Sequence, residues 1–118
     1  WYVGKFDEAT LNFFTALGIT PGYMRANGRG MAAVDQRIAY QRELHAGDVV
    51  AVRTGVIEVR EKLVRFCHEM RNLETGEIAA VTLLVAVHLD MRTRKSCALP
   101  ADVAAKAREG SVDYPLPW

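Results

Sequence analysis

The spacing of apolar residues changes once along this chain, near Gly30. Before that point Val3, Phe6, Phe13, Phe14 and Leu17 recur at helical intervals, with Thr10 in the same series. This predicts a helix over residues 1–17, with Gly18 as its stop signal. The apolar set is wider than one stripe, so the helix is expected to be buried on more than one side. Residues 19–30 hold Pro21, Gly22, Asn27, Gly28 and Gly30, which predicts a loop. After Gly30 the period becomes two. Val34, Ile38, Tyr40 and Leu44 alternate with Asp35, Arg37, Gln41 and Glu43, the pattern of a half-buried strand. The stretch HAGD at 45–48 is a turn. A second strand runs from Val50 to about Arg60, and Glu61-Lys62 is the next turn. A third strand places Val64, Phe66, His68 and Met70 on one face and Arg65, Glu69 and Arg71 on the other. NLETGE at 72–77 is a hairpin loop. Residues 78–89 are apolar on both faces, which predicts a central strand. The tail PADVAAKAREG reads as a short helix with Pro at its start and Gly110 at its end.

One apolar helix, four long antiparallel strands and a small tail helix make an α+β chain. Strands of this length exceed the usual mode of about 5–6 residues. A long curved sheet wrapped around one buried helix accommodates both the long strands and the broad apolar helix.

Composition narrows the class. At 118 residues the chain is expected to be one domain over 1–118. It is 50% hydrophobic and 25% charged, which is ordinary for a globular protein. The net charge is +1, so there is no basic field of the kind nucleic-acid binding requires. The longest apolar run, 78–87, is too short for a helical membrane span. Cys67 and Cys97 match no metal spacing and fit free thiols in a reducing compartment, with one disulfide as the alternative. These features predict a cytoplasmic protein without a nucleic-acid or membrane partner.

Three stretches resemble the hotdog-fold acyl-CoA thioesterases of the broad 4-hydroxybenzoyl-CoA thioesterase-like family. They are YVGKFDEATLNFFTALG (2–18), IAYQRELHAGD (38–48, with Tyr40, Glu43, Gly47 and Asp48) and TGEIAAVTLLVAVHLDMRTRKSCALP (75–100, with Ala79, Asp90, Arg94 and Pro100). Their order covers almost the whole chain. The ending His88-Leu89-Asp90 is similar to the betainyl-CoA thioesterase branch. The resemblance implies a hotdog fold, hydrolysis of an acyl-CoA thioester, and a homodimer or dimer of dimers. It implies no cofactor, because coenzyme A is part of the substrate. It also implies a first strand and a loop upstream of Trp1, and that loop often carries the family's catalytic carboxylate.

Thioester hydrolysis needs an activated water or nucleophile, an oxyanion site and an acyl pocket. Backbone N–H groups at a helix start can hold an oxyanion. The resemblance puts Tyr2, Val3 and Gly4 there, and Gly4 admits close approach. Asp7 is the best remaining carboxylate for a general base. Its helical neighbours Val3, Gly4, Thr10 and Leu11 are fairly apolar, so burial is expected to raise its pKa. An acid so early in a helix is also favoured by the dipole alone. Trp1, Tyr2 and Phe6 are expected to line the acyl pocket, and His88 to reach a ligand from a strand end. His68 reads as a packed core or interface histidine. Glu43 reads as the partner of a surface Arg. Arg92, Arg94 and Lys95 form a basic cluster suited to the phosphates of CoA, or simply a solvated loop. The absence of G-x-S-x-G argues against a serine hydrolase. Two other readings stay open: a hotdog hydratase or dehydratase on acyl-CoA or acyl carrier protein, and a non-catalytic acyl-ligand binder.

Overall fold

The computed structural model describes residues 2–118, apart from the side chain of Val3. Helix α1 (Tyr2–Leu17) is followed by a short helix α2 (Pro21–Asn27) and the strands β1 (Arg29–Tyr40), β2 (Val50–Val59), β3 (Leu63–Asn72) and β4 (Ile78–Asp90). A two-residue strand β5 (Lys95–Ser96) and helix α3 (Ala101–Glu109) complete the chain. The sheet order is β1-β4-β3-β2, with β5 on the end of β4. All these strand pairs are antiparallel. The hydrophobic strand at 78–90 is therefore internal, as its two apolar faces require.

Two of the expected elements need correction. The predicted loop at 19–30 contains α2. Thr20 caps it by accepting a hydrogen bond from the Tyr23 N–H at 3.0 Å, Pro21 opens it, and Gly28 ends it at φ +62°. Thr-Pro is a helix-start signal that the surrounding glycines masked. The first strand stops at Tyr40 rather than reaching Leu44. Beyond it the chain folds into a turn: the Asp48 carboxylate accepts the His45 N–H at 2.7 Å, and Gly47 takes φ +92°. A residue with a side chain is strained at that φ, so Gly47 and Asp48 together explain HAGD.

The main core lies between the sheet, the C-terminal half of α1 and α3. It includes Phe14, Leu17, Ile19, Val56, Phe66, Leu84, Leu99 and Val103. A smaller cluster of Phe6, Met70 and Ala80 lies under the first turns of α1, with Tyr2, Ile38, Leu44, Val50 and Val52 packed around it. The face of β3 bearing Phe66, His68 and Met70 is buried, as the alternation predicts. The opposite face is covered too. Cys67 and Glu69 are buried, and the C-terminal tail runs over them. The Val112 N–H donates to the Val56 carbonyl at 2.8 Å, and Tyr114 Oη donates to Glu69 Oε2 at 2.7 Å. A Cβ on Gly55 would stand 2.5 Å from Val112 Cγ2, so the tail needs a glycine there.

Helix α1 is buried on one face, not on most sides. Leu11 is 64% exposed, and Lys5, Asp7, Glu8 and Asn12 are exposed as well. The sheet contacts one flank of α1, through β2 and the strands beneath it, and among the described residues the other flank is exposed.

Candidate functional site

The start of α1 stands over the end of β1 and the turn that follows it. Tyr2 fixes the corner. Its hydroxyl donates to the Arg42 carbonyl at 2.9 Å, and its ring meets Tyr40 edge-on at 5.0 Å between centroids. Beside it a cleft of about 360 Å³ is lined by Tyr2, Leu44, His45, Ala46, Gly47 and Asp48. Leu44 and Tyr2 rest on the Phe6 cluster, so the cleft has an apolar floor and a polar rim. Gly4 is exposed, and a Cβ there would meet nothing within 4 Å. Approach to the first turn of the helix is open.

The predicted site residues separate into three groups. Tyr2 and Gly4 stand together at the helix start. Asp7 lies one turn further along, exposed and on the same side as Gly4. The apolar burial expected for Asp7 is absent in the single chain. Phe6 is 1% exposed and packs in the core, so it supports the cleft from beneath instead of lining it. Trp1 lies outside the described residues. Glu43 is exposed, and it is Glu77 that takes Arg42, at 2.8 Å.

The third group is at the other end of the sheet. His88 is 1% exposed and does not face solvent. Its Nε2 lies 3.0 Å from Tyr23 Oη, and its Nδ1 lies 3.3 Å from both the carbonyl and the Sγ of Cys97. The unpredicted helix α2 brings Tyr23 over it, which is why a strand-end histidine became enclosed. Burial pushes the Tyr23 phenol above its ordinary pKa, so it keeps its proton. Arg92, Arg94 and Lys95 are exposed in the turn between β4 and β5. Asp90 organises that turn: its Oδ1 accepts the Arg92 N–H at 2.9 Å, which holds the carboxyl below its ordinary pKa. Arg94 takes φ +61°.

His68 is a further feature. It is fully buried on β3 between Phe6 and Phe66. Its Nε2 lies 2.8 Å from Thr10 Oγ1 and its Nδ1 2.7 Å from Thr54 Oγ1. Desolvation pushes its pKa down to about 4, so it is neutral at physiological pH. The sequence indicates its burial but not its partners, because neither threonine is near it in the chain.

Among the described residues no group of three or more His, Cys, Asp or Glu side chains could hold a metal ion. Cys67 and Cys97 are both free, and burial raises the pKa of the Cys67 thiol. No described helix is long and apolar enough to cross a membrane.

The long antiparallel sheet with α1 packed against it is the hotdog fold. Residues 1–107 match the family described as the thioesterase-like superfamily, and the chain belongs to it. Among solved structures, a hypothetical protein from Staphylococcus aureus in complex with CoA superposes with a TM-score of 0.90. It is 17% identical, and the match covers 98% of this chain and 75% of that one. The 1,4-dihydroxy-2-naphthoyl-CoA thioesterase from Synechocystis superposes with a TM-score of 0.80 at 16% identity, over 97% of this chain and 82% of that one. A curated relative is the L-carnitine dehydrogenase/betainyl-CoA thioesterase of Rhizobium meliloti, 22% identical over 107 residues. The match takes in 91% of this chain and 21% of the relative, so the chain spans about a fifth of that protein's length.

Proposed function

We propose that this chain hydrolyses an acyl-CoA thioester to the free acid and CoA. The observation that carries this reading is the cleft at the open N-terminus of α1, in a chain of the thioesterase-like superfamily. The acyl group enters the cleft beside Tyr2 and Leu44. The thioester oxygen meets backbone N–H groups of the first helical turn, over Gly4, where negative charge develops as water adds. Asp7, one turn away on the same side, takes the proton of the attacking water. The tetrahedral adduct then expels the CoA thiolate, which is protonated on leaving. No cofactor is required, since CoA arrives with the substrate.

The chain works as a homodimer in this reading. Among the described residues strand β1 pairs with β4 alone and leaves its other edge open, with Val34 61% and Tyr40 59% exposed. An open strand of this length is a liability unless it is paired. Antiparallel pairing about a two-fold axis sets the start of β1 in one copy against its end in the other. The basic turn at 91–95 adjoins the start of β1, through Arg29 opposite Asp90. The Tyr2 cleft adjoins the end of β1. Dimerisation on this edge therefore carries the Arg92, Arg94 and Lys95 of one copy toward the cleft of the other. Those three cations suit the nucleotide phosphates of CoA.

The test compares acyl-CoA with the same acyl group on pantetheine, which lacks the nucleotide. Released thiol marks hydrolysis, and a change in double-bond absorbance marks hydration or dehydration. An Arg94→Glu/Lys95→Glu chain is expected to raise KM about tenfold for acyl-CoA and leave it unchanged for acyl-pantetheine. Equal effects on both substrates would remove the basic turn from the site. Sedimentation at equilibrium reads the dimer separately.

A further inference from the structure

We infer that His68 is a positioning residue for this site: fixed as its Nε2–H tautomer between two threonine hydroxyls, it holds the first half of α1 on the sheet through Thr10. The inference rests on the hydrolase reading only for its kinetic arm.

Hydrogen counting, with the Thr10 hydroxyl turned to the Phe6 carbonyl, points to one tautomer. Thr10 Oγ1 has one hydrogen, and it donates it to the Phe6 carbonyl at 3.0 Å. Toward His68 Nε2, at 2.8 Å, that oxygen can only accept, so Nε2 carries the proton. A neutral imidazole has one N–H, which leaves Nδ1 bare. Nδ1 then accepts from the Thr54 hydroxyl at 2.7 Å. Every group in the chain Thr54–His68–Thr10–Phe6 has one role. The other tautomer would set the Nε2 lone pair against an oxygen with no hydrogen to offer, unless Thr10 let go of Phe6. In a site with no solvent exposure, an unmet lone pair is costly.

The link ties three elements: Thr10 on α1, His68 on β3 and Thr54 on β2. It matters because α1 is held unevenly. Its C-terminal half sinks Phe14 and Leu17 into the main core. Its N-terminal half has the smaller Phe6 cluster, the Tyr2 hydroxyl at its tip and this polar link. That half also carries the helix start that faces the cleft. The Phe6 ring lies over the His68 ring, 5.9 Å between centroids and 11° from parallel, so the histidine supports α1 by its face as well as its edge. Releasing Thr10 frees the first turns to shift, and small shifts of oriented donors are expensive for a reaction that depends on them.

The experiment uses the full 118-residue chain, labelled with ¹⁵N. Long-range ¹H–¹⁵N correlation of the imidazoles, with His68→Gln to assign the signal, reads the tautomer directly. The expected spectrum shows a protonated Nε2 and a bare Nδ1 for His68, unchanged between about pH 7.5 and 5.5. An Nδ1–H signal, or a mixture of tautomers, would overturn the assignment. The second arm uses Thr10→Val, which keeps the shape and helix preference but loses the hydroxyl, and Thr10→Ser, which restores it. Thr10→Val is expected to lower kcat about tenfold with KM nearly constant, and Thr10→Ser to recover most of the loss. Amide exchange over residues 4–9 is expected to rise about tenfold in Thr10→Val whether or not the chain hydrolyses thioesters. Unchanged exchange would refute the positioning role. Faster exchange with no thiol release from the parent would leave it standing and refute the hydrolase reading instead.

Discussion

His68 and His88 sit on neighbouring strands, both almost wholly buried, both with each ring nitrogen occupied. They hold different things. His68 ties the N-terminal half of α1 to β2 and β3. His88 ties α2, through Tyr23, to the segment at Cys97. By register His68 faces Thr82 on β4, so the two histidines lie six residues apart along the sheet, or about 20 Å. The end near His88 adjoins the larger core of Phe14, Leu17, Ile19 and Phe66. The end near His68 and the cleft rests on the smaller cluster. Where apolar packing is thin, a hydrogen bond supplies direction that packing alone does not. The proposed site stands at the thinner end, where helix-start donors stay open to a ligand.

The largest expected effect comes from the two cores. Phe66→Ala is expected to cost about 4 kcal/mol and Phe6→Ala about 3 kcal/mol, because the smaller cluster can collapse more fully around the deleted ring. Urea unfolding measures both. A greater loss from Phe6→Ala would reverse the ranking of the two ends.

Acid comes next. The folded pKa of His68 is lowered to about 4, below its ordinary 6.5, so the unfolded chain binds the proton more readily. Its contribution is full above pH 6.5 and is lost as pH falls toward 4, on the order of 3 kcal/mol in all. The stability of the parent minus that of His68→Gln is expected to shrink across that window. A difference that stays flat from pH 7 to 4 would mean His68 is not desolvated.

Tyr23→Phe removes the phenol over His88 and is expected to cost about 1 kcal/mol with kcat unchanged, while Thr10→Val costs a similar amount and slows the reaction. Equal kinetic effects from these two would show that the ends are not functionally distinct. The smallest effect on stability is expected at Gly4. A Cβ at Gly4 meets nothing within 4 Å, so Gly4→Val is expected to change stability by less than about 0.5 kcal/mol, yet to obstruct the helix start and slow hydrolysis about tenfold. An active Gly4→Val would move the reaction away from the first turn.

Local patterns revealed most of the sheet before the structure did. The alternation of Val64, Phe66, His68 and Met70 with Arg65, Glu69 and Arg71 defined both faces of β3. The two-sided apolar run at 78–89 placed β4 inside. Helix α2 was hidden because its cap, Thr20-Pro21, is embedded among glycines. Burial of Glu69 depends on Tyr114, 45 residues away, and no local period reports that contact. The same limit applied to the site. The helix start was legible as a candidate site at Tyr2 and Gly4, and the structure brings Leu44–Asp48 to Tyr2. Phe6 and His88 looked like ligand contacts because an aromatic near a helix start and a histidine at a strand end suit that role. Only the tertiary structure shows Phe6 beneath the cleft and His88 beneath Tyr23.

The central claim is that thioester hydrolysis occurs at the start of α1 with Asp7 as its base. Thiol release from a panel of acyl-CoAs, betainyl-CoA and aryl-CoAs among them, tests it most directly, with the parent beside Asp7→Asn. The account predicts release by the parent well above the uncatalysed rate and a fall of about 100-fold in Asp7→Asn. Release that survives the substitution would contradict the role of Asp7, and no release from any acyl-CoA would contradict the account as a whole.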